Sequence, residues 1–215
     1  MSCQFITFEG VEGAGKTTQL NLCADWLRSL GHRVRITREP GGTELGQGIR
    51  QLFLGSTGLD DRAELMLLMA DRAQHVQEFI KPSLGEGFVV LCDRYSDSTF
   101  AYQGYGRGMD WQLISSLNQI ATAGLEPDLT LWLDLDVDLG LTRARQQSQQ
   151  QAMSGDRIEQ EKIEFHRQVG RGFRNLSKQY PQRIKRINAT TDIVAVHAQI
   201  RRVVTACLDQ MSLKT

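Results

Sequence analysis

The chain has 215 residues, with Lys+Arg and Asp+Glu both numbering 25 and a formal net charge of zero. That length suits one domain, residues 1–215, able to bury roughly 70% of its extended-chain surface, and the charge balance gives no reason to expect a nucleic-acid polymer or an anionic membrane as partner. No run approaches 18 apolar residues, and the start, MSCQFITFEG, lacks a basic segment followed by a secretory core, so a cytoplasmic protein with no membrane span is expected.

The first element is a short apolar run, Phe5, Ile6 and Phe8, with the pattern of a buried parallel strand. It turns through Gly10-Val11-Glu12-Gly13-Ala14-Gly15 into Lys16-Thr17, the G-x-x-x-x-G-K-T phosphate-binding loop. Glycines there let backbone N–H groups close round an anion, and the helix N-terminus that follows adds a favourable field. Lys16 is expected to reach the outer phosphates of a bound nucleotide, and Thr17 to offer its hydroxyl to Mg²⁺; the loop alone permits ATPases, GTPases and small-molecule kinases. The first helix continues from Leu20 to Leu30 and Gly31 ends it. A second strand, Arg33–Thr37, leads into Arg38-Glu39-Pro40-Gly41-Gly42, which cannot be regular structure and lies where open α/β sheets bind ligands. Arg38 and Glu39 read either as part of a site or as an ordinary solvated pair. Thr43 suits the N-cap of a helix through Phe53.

One long helix is expected over Arg62–Leu84. Its stretch AELMLLMA is apolar nearly all round, so one face is expected to meet the sheet and another a second subunit, as in a homodimer, the alternative being a wholly internal core helix. Arg72 lies one turn after Leu68 on the same face, joining an apolar contact to a cationic fork in a way that suits a planar polar ligand. A third strand, Gly87–Cys92, hardly alternates and is therefore covered on both faces; it ends in Asp93-Arg94. Asp93 is placed to bind Mg²⁺ or its waters, with Asp134 at the end of the fourth strand, Leu129–Asp134, as its rival. Arg94 has the fork to hold an acceptor phosphate bidentately.

Between these strands, residues 96–108 interleave Tyr102, Gln103 and Tyr105 with glycines, and Trp111–Ala123 reads as a helix. A helix from Leu139 to Arg145 runs into residues 146–156, poor in apolar anchors, which read as a mobile lid. Asp156-Arg157-Ile158-Glu159 has the form of an N-cap with an acid at the third helical position. Arg143, Arg145 and Arg157 are the local candidates for a lid cation, Arg157 foremost and Arg145 assisting. A fifth strand, Arg183–Asn188, and a helix over Thr191–Leu208 close the chain. Cys3, Cys23, Cys92 and Cys207 stand far apart and read as free thiols in a reducing cytosol; the four histidines are scattered and suggest no zinc site. Five apolar strands alternating with helices give a parallel α/β sheet.

The segments FEGVEGAGKTT (8–18), TREPGGTELGQGIR (37–50), ADRAQHV (70–76), DRYSDSTFAYQG (93–104), PDLTLWLDLD (127–136) and DRIEQE (156–161) resemble those of the bacterial thymidylate kinases, over nearly the whole chain. The resemblance implies a P-loop NTPase-type three-layer fold with a five-stranded parallel core and a mobile lid, a homodimer packed through helices, and Mg²⁺-dependent phosphoryl transfer from ATP to dTMP. It also implies that Arg94 and Arg38 surround the acceptor phosphate, that Glu12 lies near the deoxyribose, and that Arg72, Thr99 and Gln103 read the thymine. Tyr102 would then crowd a ribose 2′-hydroxyl. Two departures stand out. Leu68 occupies the place where relatives commonly carry an aromatic ring, and the segment before Asp156 lacks the arginine usual in a bacterial lid. A kinase for another nucleoside monophosphate and a non-catalytic ATP-binding regulator are the alternatives.

Overall fold

The computed structural model describes residues 3–150 and 157–212. Five strands, β1 (Phe5–Glu9), β2 (Val34–Arg38), β3 (Val89–Asp93), β4 (Leu129–Asp134) and β5 (Ile184–Asn188), form one sheet in the order β2-β3-β1-β4-β5, every pair parallel. From β1 the chain crosses to β2 on one side, whereas from β3 it crosses to β4 on the other. The crevice at the carboxyl ends of β1 and β3 is thus the topological switch point, where such sheets bind ligands. Register brings the site together there: Phe8 pairs with Asp93, and Arg38 pairs with Asp93 from the other side.

The apolar content of the strands explains their depth. All five residues of both β1 and β3 are buried, as expected for strands covered on two faces. Ile6 and Phe8 belong to the main core with α1 (Lys16–Ser29) and α9 (Ile193–Ser212), whereas Phe5 packs on the opposite face with Val76, Ile80 and Tyr95. Thr43 caps α2 (Glu44–Gly55) by accepting from the Gly46 N–H at 3.0 Å, as its sequence position implies.

Several expectations need correction. The helix expected over Arg62–Leu84 is α3 (Asp61–His75), a π-helical turn Val76–Ile80 and α4 (Lys81–Gly85). Pro82 has no N–H to give the carbonyl four residues back, and just before it the Lys81 N–H reaches Val76, five residues back. A second π-helical turn, Phe100–Gly106, follows α5 (Ser96–Thr99) and precedes α6 (Trp111–Thr122). The helix expected from Leu139 runs as α7 over Val137–Gln150, so residues 146–150 of the expected lid continue it; residues 151–156, with Asp156, lie outside the described residues. The next helix, α8 (Ile163–Gln179), starts six residues after the expected first position and has Lys162 at its N-cap. Residues 157–160 form a turn instead, because Arg157 is tied to distant partners and Ile158 is buried. Finally, Cys3 and Cys207 are not free thiols: they form a disulfide (S–S 2.08 Å) that joins the segment before β1 to α9 across 204 residues. Cys23 and Cys92 are free and buried.

Candidate active site

The phosphate loop opens a cavity of about 570 Å³ at the switch point. Gly10, Gly13 and Gly15 all have positive φ, which only glycine adopts without strain. A Cβ on Gly13 would collide with the Gly140 carbonyl oxygen and one on Gly140 with that of Glu12, so α7 lies directly on the loop. The Lys16 ammonium donates to the carbonyls of Gly10 (3.1 Å) and Val11 (2.9 Å). Burial, reinforced by the neighbouring Arg94, lowers its pKa against the pull of Glu12 and Asp93.

Thr17 Oγ1 donates to Asp93 Oδ2 at 2.7 Å, joining the loop to the end of β3. Asp93 is buried and makes no ion pair among the described residues. Asp134, its rival by sequence, instead accepts from the exposed Arg186 at 2.6 Å and does not line the cavity. The two donor oxygens of Thr17 and Asp93 fit a hard divalent cation that takes its remaining ligands from phosphate and water. Among the described residues no group of three or more His, Cys, Asp or Glu side chains is arranged to hold a metal by itself.

Arg94 has φ 71, a strained value for a residue with a Cβ, and three contacts fix it there. Its guanidinium donates to the Gly10 carbonyl (3.1 Å), Ser98 Oγ (3.1 Å) and Glu12 Oε1 (2.6 Å). Glu12 also accepts from the Tyr102 hydroxyl at 2.9 Å. Burial opposes its ionisation, but Arg94, then Lys16 and Tyr102, outweigh it and hold the Glu12 carboxyl down at about 2.

Deeper in, Arg72 is buried on α3 and donates to Glu39 Oε2 (2.8 Å), Thr99 Oγ1 (2.9 Å) and Asn118 Oδ1. Glu39 in turn meets His75 Nδ1 at 2.9 Å, and His75 Nε2 lies 2.6 Å from Thr37 Oγ1. Nε and Nη1 of Arg72 are taken up in this way, which leaves Nη2 for the cavity. Gln103, on the second π-helical turn, donates to Glu64 Oε1 at 2.7 Å, while its own carbonyl oxygen and the Asn118 amide nitrogen are buried without a partner. One cavity therefore carries an anion-binding loop at one end and the polar side chains of Arg72, Thr99 and Gln103 at the other.

A protein-family model described as thymidylate kinase matches residues 8–200. The chain is 52% identical to the thymidylate kinase of Nostoc punctiforme over 206 residues, covering 94% of this chain and 96% of that one. It is 50% identical to that of Desulfovibrio desulfuricans over 95% of this chain and 96% of the relative. Among solved structures, the thymidylate kinase of Ehrlichia chaffeensis superposes with a TM-score of 0.75 at 37% identity, over 95% of this chain and 99% of that one. The chain belongs to the thymidylate kinase family.

In this chain the cavity wall includes Glu12, Arg38, Leu68, Arg72, Arg94, Thr99, Tyr102 and Gln103, together with Gly13, Gly15, Lys16, Thr17 and Asp93. Val11 and Ala14 are buried in the core, so the loop's side chains face inwards at these positions. Arg157 and Arg145 do not line the cavity. Arg157 Nη2 donates to Glu64 Oε2 at 2.6 Å and its Nε to the Phe53 carbonyl at 3.1 Å, whereas Arg145 is exposed on α7. Sequence reading missed Glu64, Asn118 and Phe53. Glu64 carried a signal, since a carboxylate inside the run AELMLLMA on a buried helix demands partners. Phe53 lines the same cavity as Leu68, with the Arg157 guanidinium over its ring.

Proposed function

We propose that this cavity holds ATP along the phosphate loop and dTMP between Arg94 and Arg72, and that the chain is the ATP-dependent kinase converting dTMP to dTDP on the way to dTTP. The observation that carries the residue assignment is the continuity of the cavity from Lys16 and Thr17 to Arg72 and Gln103, which puts the phosphate loop and the proposed base-reading groups in one cavity. Phosphoryl transfer needs alignment and charge neutralisation more than covalent help. Gly10, Val11, Glu12, Gly13, Ala14 and Gly15 would wrap the ATP phosphates, with Lys16 leaving its loop carbonyls for the outer oxygens. Arg94 and Arg38 would grip the acceptor phosphate, and Glu12 with Tyr102 would border the sugar. Leu68, Arg72, Thr99 and Gln103 would hold the base. No general base is required, because a nucleotide monophosphate is already largely ionised near neutral pH.

Thr17 and Asp93 would hold Mg²⁺, which supplies neutralisation of the phosphate oxygens between which the group moves. For the second cation we favour Arg145 over Arg157, reversing the order read from the sequence. Arg157 would have to abandon a buried carboxylate to reach the phosphates, and Arg145 would not. Homodimer formation is supported by the outer stripe of α3, where Met66 is 51% exposed, and by Ile120 on α6, 76% exposed. Such a stripe favours burial against a second copy; light scattering at micromolar concentration tests it. Residues 1–215 act as one domain in this reading, with its lid beyond the end of α7, in the cytoplasm. No helix among the described residues is long and apolar enough to cross a membrane.

The decisive experiment is a steady-state panel of dTMP, dUMP, dCMP, dGMP and AMP as acceptors with ATP and Mg²⁺. dTMP should give the highest kcat/KM, and a clear preference for a non-thymine acceptor would end the assignment.

A further inference from the structure

Glu64 lies on α3, wholly buried, and gathers three groups from distant parts of the chain. Its Oε1 accepts from the Gln103 side-chain amide at 2.7 Å and from Arg107 Nε at 3.3 Å, and its Oε2 from Arg157 at 2.6 Å and Arg107 Nη2 at 3.1 Å. Two arginines on one carboxylate leave it ionised: burial pushes its pKa up, but the bonds from Gln103, Arg107 and Arg157 together bring it below the ordinary glutamate value. An ionised carboxylate only accepts hydrogen bonds, so it can bind just one end of an amide, the NH₂. The Gln103 carbonyl is thereby turned away from Glu64, and it is the end of this amide that has no partner in the chain, although Gln103 lines the cavity.

We propose that Glu64 is the positioning residue for base selection: by holding the Gln103 NH₂ it fixes the carbonyl as an acceptor at the base end of the cavity, so that a pyrimidine with a proton on N3 is admitted and one with a lone pair there is excluded. This rests on the reading of dTMP as acceptor and of Gln103 as a base-contacting group. Thymine and uracil carry N3–H, which the fixed carbonyl accepts, and beside it an oxygen on C4 that the free Nη2 of Arg72 meets as a donor. Cytosine presents a lone pair on N3 to the Gln103 oxygen and an amino group to Arg72. Two acceptors and two donors then face each other in a buried site, and each such mismatch costs about tenfold to a hundredfold. Without the carboxylate the Gln103 amide can turn over, and its NH₂ would then suit cytosine N3. The exclusion depends on Glu64, although Glu64 does not face the base.

The test is the kcat/KM of dTMP, dUMP and dCMP in wild type, Glu64→Gln and Arg107→Ala. A glutamine at position 64 keeps the shape of the side chain but offers both a donor and an acceptor to Gln103. The dTMP:dCMP ratio should fall at least tenfold in E64Q, while the dTMP:dUMP ratio stays within about twofold, since both of these bases carry N3–H. R107A removes another partner of Glu64, held at 3.1 Å on Oε2 and at 3.3 Å on Oε1, but leaves the shorter 2.7 Å Gln103 bond to Oε1 in place, and should keep both ratios. An unchanged dTMP:dCMP ratio in E64Q would overturn the inference, as would an equal fall in both ratios or the same fall in R107A, either of which indicates mere loosening. If wild type itself prefers dCMP, the acceptor reading fails; if wild type prefers dTMP and E64Q keeps that preference, only the role of Glu64 fails. Should E64Q not fold, NMR of the ¹⁵N-glutamine-labelled wild-type protein decides the matter. The Gln103 side-chain amide, assigned by its loss in Gln103→Leu, should show one proton shifted downfield and slow to exchange. Two unshifted, rapidly exchanging protons would overturn the proposal.

Discussion

Asp93 and Asp134 end the two apolar strands that flank β1 and differ by their partners. Asp93 takes the Thr17 hydroxyl at the mouth of the phosphate loop, and Asp134 pairs with the exposed Arg186. An exposed ion pair of this kind contributes about 0–1 kcal/mol, so Asp134→Asn should leave kcat within about threefold of wild type. Asp93→Asn removes charge where phosphates and Mg²⁺ are proposed to meet, and kcat should fall at least a hundredfold, about 2.7 kcal/mol. Magnesium titrations of both variants, with circular dichroism to show that they fold, check this; a selective collapse in D134N would reverse the assignment. Glu9 shows how far a residue's chemistry depends on its neighbours. It sits at the end of β1, wholly buried, accepting from the Tyr95 N–H (2.8 Å) and Ser98 Oγ (2.6 Å). Burial, then the nearby Asp97, pushes its carboxyl up to about 7 against the opposing pull of Ser98 and Arg94.

At the scale of elements, the turn at 157–160 ties α8's entrance to α2 and α3. The Arg157 backbone N–H reaches the Leu54 carbonyl (3.4 Å), and its side chain reaches the Phe53 carbonyl and Glu64. This turn is the root from which the proposed lid departs, and its arginine is already engaged. Arg145→Ala should therefore lower single-turnover phosphoryl transfer more than Arg157→Ala, by at least tenfold. Arg157→Ala should act chiefly on stability, since it leaves a buried carboxylate short of one cation. Rapid-quench kinetics with thermal denaturation separates the two effects. A larger loss of transfer in R157A, without loss of Tm, would restore the order that the sequence suggested. The strands, the first helix and the Thr43 cap were legible because each is encoded by its own residues: apolar runs, glycine spacing, a hydroxyl before a helix. The π-helical turn before Pro82 carried a local signal too, yet its form depends on how the carbonyls around the missing N–H are re-paired.

For the whole molecule, stability should respond to pH and to reductant. In the unfolded chain Glu9 ionises near 4.5 and in the fold near about 7, so between these values the folded state binds the extra proton. Stability from this group is therefore lost as pH rises through that window, on the order of 3 kcal/mol. Glu12, held at about 2, acts with the opposite sign at lower pH: its contribution is present above 4.5 and disappears as pH falls towards 2. Thermal denaturation of wild type and Glu9→Gln from pH 5 to pH 8 should show the Tm of the variant gaining on wild type as pH rises; parallel profiles would show that Glu9 does not titrate in this range. The Cys3–Cys207 disulfide closes a loop across 204 residues, worth about 5 kcal/mol in chain entropy and so about 10–20 °C in Tm. Reductant should lower the Tm of wild type and leave that of a Cys3→Ala, Cys207→Ala double variant unchanged. Alkylation of both thiols in the native, unreduced protein would show that the bond is absent.

By itself the sequence determined the phosphate loop, the parallel sheet, the family and most of the cavity wall. These are written in short segments whose spacing fixes local geometry, and Gly10 to Thr17 states a phosphate site whatever surrounds it. Tertiary structure alone decided which charges meet. Glu64 finds Arg157 93 residues on and Arg107 43 residues on, Asp134 finds Arg186 52 residues away, and Cys3 finds Cys207. A carboxylate or a thiol looks the same in the sequence whether its partner is a ligand, another side chain or water. The partner is chosen when strands and helices pack and burial makes an unpaired charge too costly to keep.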